Sequence, residues 1–201
     1  MSPFLRRLAL AAALGLVALP AQAHLVQTGF GAFYDGFVHL TVTPADLLLV
    51  VALGLLAGLR GIAAARFTVL ALPAAWLVGG LLGQRWPALA ANEVVELLPF
   101  LLTGALVAVD ARLRPSALQA LVVGAGLIHG AINGATMAPA AGSALLALAG
   151  AVNGVVLIAL LLSAEVTRVH SGWPRVVVRV LGSWITATGM LMFGWMLHAA
   201  R

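Results

Sequence analysis

Apolar runs long enough to enter or cross a bilayer recur along nearly the whole of this chain, and they leave few other folds open to it. They read as Pro44 to Leu59, Phe67 to Leu82, Val94 to Val109, Ala117 to Met137, Ala144 to Leu162 and Val176 to Ala199. A helix needs roughly 20 mostly apolar residues to span about 30 Å of hydrocarbon. The first run is short, so it either borrows residues from its N-terminal flank or is re-entrant and supported by protein on all sides. Composition excludes a water-soluble alternative. Only 8% of the residues are charged and 63% are apolar, against about 25% and about 45–50% in an average soluble domain. The expected fold is therefore all-α, a polytopic membrane helix bundle of about six transmembrane helices. Its 22 glycines suit a setting in which small residues let helix backbones approach.

The N-terminus reads differently. Arg6 and Arg7, an apolar stretch from Leu8 to Leu19, then Pro20 and Ala21-Gln22-Ala23 follow the three-part layout of a secretory signal. Residues 1–23 are expected to be a cleaved signal peptide, which makes His24 the mature N-terminus. Residues 24–201 then form a single transmembrane domain, opening on a short semi-polar periplasmic segment, 24–43.

With that terminus outside, the loops near Arg60 and Arg66, near Arg112 and Arg114, and from Arg168 to Arg179 fall in the cytoplasm, which places seven arginines inside. The positive-inside rule favours this orientation in a bacterial inner membrane, with both mature termini periplasmic. The net charge of +5 comes from arginines scattered singly between apolar runs, so it signals topology and not nucleic-acid binding. There is no P-loop, nucleophile elbow or His-Glu-x-x-His pattern, so no enzyme is expected. The chain has no cysteine, which leaves His, carboxylate, amide, backbone and Met as metal ligands.

Ionisable groups within a bilayer are costly and so are functional candidates. His129 lies twelve residues into its helix, about 18 Å from the cytoplasmic end at about 1.5 Å per residue. Asn133 and Met137 continue the same stripe. The three make a plausible cation path, although His129 and Asn133 also have the chemistry to bond neighbouring helices as structural glue. Asp46 in the first turn of the first run, and Glu93 and Glu96 at the start of the third, are placed near the periplasmic surface, where helix-start carboxylates are also favoured by the macrodipole. A free amine and imidazole at His24 would chelate Ni(II) or Cu(II) as a nitrogen pair. Asp35 and His39 lie in the same periplasmic approach. The candidate metal-binding residues are thus His24, Asp35, His39, Asp46, Glu93, His129 and Asn133.

These residues resemble the HupE/UreJ family, small membrane proteins encoded with hydrogenase and urease systems and regarded as nickel or cobalt permeases. The resemblance runs over nearly the whole chain. It takes in the signal ending in Ala-His, Gly36 to His39, Asp46 to Leu48, Glu93, and Ile128-His129-Gly130-Ala131-Ile132-Asn133-Gly134-Ala135, which looks like the family's His-Gly-x-Ala-His-Gly-Ala signature. Two positions depart from it. His39 is followed by six residues and then Asp46-Leu47 where the family has His, five residues and Asp-His. Asn133 and Thr136 stand where the family has a second histidine and often an acid. Fewer imidazoles mean fewer of the nitrogen ligands that favour Ni(II).

The resemblance and the residues together imply a secondary transporter carrying Ni2+ or Co2+ from periplasm to cytoplasm in support of metalloenzyme maturation, with no permanently bound cofactor. His24, Asp35 and His39 would capture the ion, Asp46 and Glu93 would hold it at the mouth, and His129 with Asn133 would form the mid-membrane step. The expected partners are a divalent metal ion and the lipid bilayer, with a second copy of the chain or a metalloenzyme-maturation partner also in view. One alternative is a non-transporting accessory protein that binds metal, copper included, or docks a partner on its periplasmic face. A carrier of a non-metal substrate is a third reading.

Overall fold

The structure, a computed structural model, describes residues 28–90, 93–138 and 142–199. The expected signal peptide and His24 lie outside the described residues. Seven α-helices follow one another: α1 (Ala32–Val42), α2 (Pro44–Leu59), α3 (Ile62–Arg85), α4 (Glu93–Ala108), α5 (Pro115–Met137), α6 (Ala144–Thr167) and α7 (Trp173–Ala199), with a 3-10 turn at Pro87–Ala90 between α3 and α4. The chain is all-α among the described residues.

Each of the six apolar runs is helical, but they are unequal as spans. Four helices, α3, α5, α6 and α7, are long and apolar enough to cross a membrane, and α1 with α2 adds a fifth span if that pair, bent by 76°, is counted as one. Helix α4 is apolar but has only 16 residues. Among the described residues the count therefore stands at four to five candidate spans, and the six read from the runs are not all long enough to be counted. The outward faces are apolar: Leu70 on α3, Leu161 on α6 and Leu191 and Trp184 on α7 are all exposed. Such a surface suits acyl chains and not water.

The bend between α1 and α2 has a local cause. Proline has no N–H to donate, and its ring drives the preceding residue out of the helical region. Thr43 is accordingly extended, with φ −90° and ψ 104°, and Pro44 opens a new helix. The segment expected to be a semi-polar approach thus contains a helix, α1, which packs on α6. Beyond the bend, α2 contacts every other helix of the bundle. Leu49, Val50, Leu53 and Leu56 are fully buried. This is the protein support on all sides that a short first span requires.

Close backbone contact holds α3 against α5. Three glycines of α5, Gly126, Gly130 and Gly134, recur every fourth residue, the spacing of small-residue membrane interfaces. A Cβ at Gly130 would collide with the carbonyl of Trp76, and one at Gly134 with the carbonyl of Gly80. Immediately before each of these two glycines the buried face of α5 carries a polar residue, His129 before Gly130 and Asn133 before Gly134, so this packing fixes both the depth and the direction of those side chains.

Candidate functional site

The centre of the bundle holds a carboxylate between an imidazole and an amide. Asp46 Oδ1 is 2.7 Å from His129 Nδ1, and Asn133 Nδ2 donates to Asp46 Oδ2 at 2.7 Å. None of the three is more than 1% exposed. The spacing explains the clamp: His129 and Asn133 are one turn apart on α5, so they reach the two oxygens of one carboxylate. Asp46 itself lies in the first turn of α2, where the unpaired N–H groups and positive dipole end of a broken helix favour an anion. Discontinuous helices that point their ends at a buried site are a recurrent device of membrane carriers.

The hydrogen bonds also define what is left over. Asp46 Oδ2 accepts from the Asn133 amide, and Oδ1 is hydrogen-bonded to His129 Nδ1, whose role follows the ring's tautomer. In the tautomer that carries its proton on Nδ1, the imidazole donates to Asp46 and Nε2 keeps a lone pair. Asn133, having turned its NH2 group to Asp46, presents its carbonyl oxygen. Among the described residues, His129 Nε2 and Asn133 Oδ1 are both buried without a hydrogen-bond partner, and so is Trp76 Nε1. The Trp76 ring lies 5.7 Å from the His129 ring, tilted by 42°. A nitrogen lone pair and an amide oxygen left open beside a carboxylate make a set of cation donors, since a ligating histidine characteristically gives its other N–H to a carboxylate.

The expected site residues divide on this geometry. Asp46, His129 and Asn133 come together. Asp46 starts α2 buried at the level of His129, about 12 Å from the Met137 end of α5 at about 1.5 Å per residue. His39, buried on α1, is within coulombic reach of Asp46. Met137 is fully buried on the same stripe as His129 and Asn133. Asp35 stands apart at the start of α1, where its Oδ1 accepts from both the N–H and the hydroxyl of Thr28 at 2.6 Å. Glu93 begins α4, and its side chain lies outside the described residues. Among the described residues no group of three or more His, Cys, Asp or Glu side chains is gathered tightly enough to hold a metal ion by itself. Trp76 carried no signal in the sequence, because a lone tryptophan in an apolar run does not reveal which way it faces.

A second carboxylate, at the arginine-rich end, was also missed. Asp110 follows α4 at a positive φ of 54° and receives Arg175 twice, from Nε at 2.7 Å and Nη2 at 3.0 Å. Arg60, the C-cap of α2, contacts the same carboxylate through Nη2. Partial burial pushes the Asp110 carboxyl up, but the Arg175 and Arg60 guanidiniums outweigh it and hold the carboxyl below the usual range. Arg179 Nε donates to the Ala108 carbonyl at 2.9 Å. Arginines that read as topology signals therefore also tie the ends of α2, α4 and α7 together.

A multi-helix bundle with apolar outer faces and a broken helix at its centre is that of a multi-pass membrane protein. The chain is a member of the HupE / UreJ protein family, whose sequence model matches residues 11–192. No curated protein and no solved structure matches it significantly.

Proposed function

We propose that this protein is a secondary transporter that moves a divalent transition metal, nickel or cobalt, across the bacterial inner membrane from periplasm to cytoplasm, in support of metalloenzyme maturation. The observation that carries this reading is the pair of buried, unpartnered donors, His129 Nε2 and Asn133 Oδ1, set beside the Asp46 carboxylate. His129 binds the ion through Nε2, and Asn133 adds a carbonyl oxygen. Asp46 orients the imidazole and balances part of the incoming charge. His39 passes the ion inward from the α1 side, with His24, Asp35 and Glu93 as outer capture residues. A sparse set of donors suits cargo, because a transported ion must leave as well as enter. The membrane potential favours entry of a divalent cation by about 4.6 kcal/mol at about 100 mV, twice the single-charge value, so uptake needs no nucleotide.

The test is His129→Gln. Glutamine keeps polarity and approximate size, so a helix-packing role survives the change, whereas an imidazole ligand does not. The expected result is near-normal expression and membrane insertion with strongly reduced nickel or cobalt accumulation. Wild-type accumulation would assign His129 to helix packing. The accessory-protein reading draws on the same sparse donor set. Stoichiometry separates the two, because a scaffold holds about one ion per chain while a transporter accumulates many.

A further inference from the structure

The arginine-rich end carries more charge than its ion pairs consume. Asp110 accepts from Arg175 at 2.7 and 3.0 Å and also contacts Arg60 Nη2, so two guanidiniums share one carboxylate and one positive charge is left over. Little water reaches this cluster, since the Arg60 side chain is only 12% exposed. Arg60 spends Nη2 on Asp110, while its Nε is buried without a hydrogen-bond partner among the described residues. A largely buried charge that is not fully compensated is costly. The chain does not supply the missing anion: seven arginines stand at this end against Asp110 and Glu165, and Glu165 is already paired with Arg168.

A cavity of about 230 Å³ lies against Arg60, and two helices begin at its wall. Ala63 and Ala64 belong to the first turn of α3 and Pro115 opens α5, and neither helix start has a side-chain cap. First-turn N–H groups find no acceptor within their own helix, and the helix dipoles place positive ends there. Gln119 adds an amide, while Phe67 and Leu118 give the cavity an apolar side. We propose that this cavity is a binding site for a phosphate group, carried by an anionic phospholipid or free in solution, with the Arg60 guanidinium as its charge partner. Donors arrive from three segments, the end of α2 and the starts of α3 and α5, which suits a tetrahedral anion better than a planar carboxylate with two oxygens. One negative charge offsets the surplus that Asp110 leaves on Arg60 and Arg175, and basic pockets between helices are a recurrent mode of headgroup binding. The site shares no residue with the Asp46 clamp and does not depend on the transport reading.

The experiment uses the full-length chain in micelles of an uncharged detergent and two probes in separate arms. One is dioleoylphosphatidylglycerol, counted by native mass spectrometry against dioleoylglycerol, which lacks the phosphate; the other is inorganic phosphate, titrated by calorimetry. Wild type is expected to bind one probe molecule per chain. Preference for the lipid identifies a headgroup, and binding of inorganic phosphate alone identifies the free anion. Arg60→Lys keeps a cation for Asp110 but loses the planar fork, and it is expected to weaken binding by roughly 10–100-fold, the worth of one hydrogen bond to a charged group. Gln119→Leu weakens it less, and His129→Gln leaves it unchanged. Asp110→Asn removes the competing carboxylate and strengthens binding, whereas a purely structural role for the cluster predicts the reverse. If Arg60→Lys fails to fold, Gln119→Leu carries the comparison. Folded wild type that binds neither probe overturns the proposal, and so does undiminished affinity in the folded Arg60 variant or weaker binding in Asp110→Asn.

Discussion

Two carboxylates organise this molecule, each gripped by two partners, and they are built to opposite ends. Asp46 lies in the core, 1% exposed, and both of its partners are groups that can be neutral, an imidazole and an amide. Asp110 lies at the arginine-rich end, its side chain 21% exposed, and both of its partners are permanent cations. A carboxylate between two guanidiniums is more than compensated and has little left to offer an incoming ion. A carboxylate between an imidazole and an amide has no permanent cation beside it, and each partner keeps a buried polar atom with no hydrogen bond among the described residues. The first arrangement fastens helices together, while the second is the one that the proposed transport reading uses.

The largest effect should come from cancelling the unbalanced charge. Asp46→Asn keeps the shape of the clamp but removes the anion, and metal accumulation should fall by at least the roughly 10–100-fold typical of losing a carboxylate behind a ligating histidine. Asp110→Asn, measured in the same cells, should leave accumulation much closer to wild type. If the two variants lose accumulation equally, the contrast between clamp and fastener is wrong. Asp110→Ala comes next and is read as stability. It strands Arg60 and Arg175 and should cost about 1.5–3 kcal/mol, the worth of hydrogen bonds to charged groups, seen as a lower thermal midpoint in detergent.

Acid should then sharpen the difference. The Asp110 carboxyl is held below its ordinary value of 3.8, so its folded pKa is depressed. Its stabilising contribution is complete above the unfolded value and is lost as pH falls through the folded one. Melting midpoints should therefore show no contribution from Asp110 titration between neutrality and about pH 5. A drop in that window that vanishes in Asp110→Asn would contradict the assignment. The smallest effect belongs to Glu165 and Arg168, whose side chains are 71% and 76% exposed at 3.4 Å. Removing either should change stability by no more than a few tenths of a kcal/mol, as exposed helix pairs do.

Much of this architecture could be read from the chain, and what could not has a physical reason. Apolar runs announce helices because every backbone polar group in lipid must be satisfied within its own segment. They announce spans less well, since length decides that, and α4 with 16 residues is apolar without being long. Helix α1 was hidden because Asp35, Gly36 and His39 interrupt its apolar pattern. Gly36 is there for contact, since a Cβ at that position would collide with the backbone of Ala147 on α6. His129 and Asn133 declared themselves as polar groups deep in a span. Their bond to Asp46 did not, because it depends on how far into the membrane α2 begins, and that is set by the bend at Thr43-Pro44. Asp110 escaped notice among arginines that orientation alone seemed to explain.

Helix α2 has one further property that follows from what stands at its two ends. Asp46 and Arg60 are separated by about 21 Å of continuous helix at about 1.5 Å per residue, and each is anchored to a different partner. Such a rod is sensitive to arithmetic more than to composition. Exchanging one buried leucine for another apolar residue of similar volume perturbs local packing only. Inserting or deleting a single residue rotates one end against the other by about 100°, and no rotamer change restores both attachments. The helix therefore acts as a phase gauge between the middle of the bundle and its arginine-rich face. Its length in residues is constrained independently of the identity of the residues that fill it.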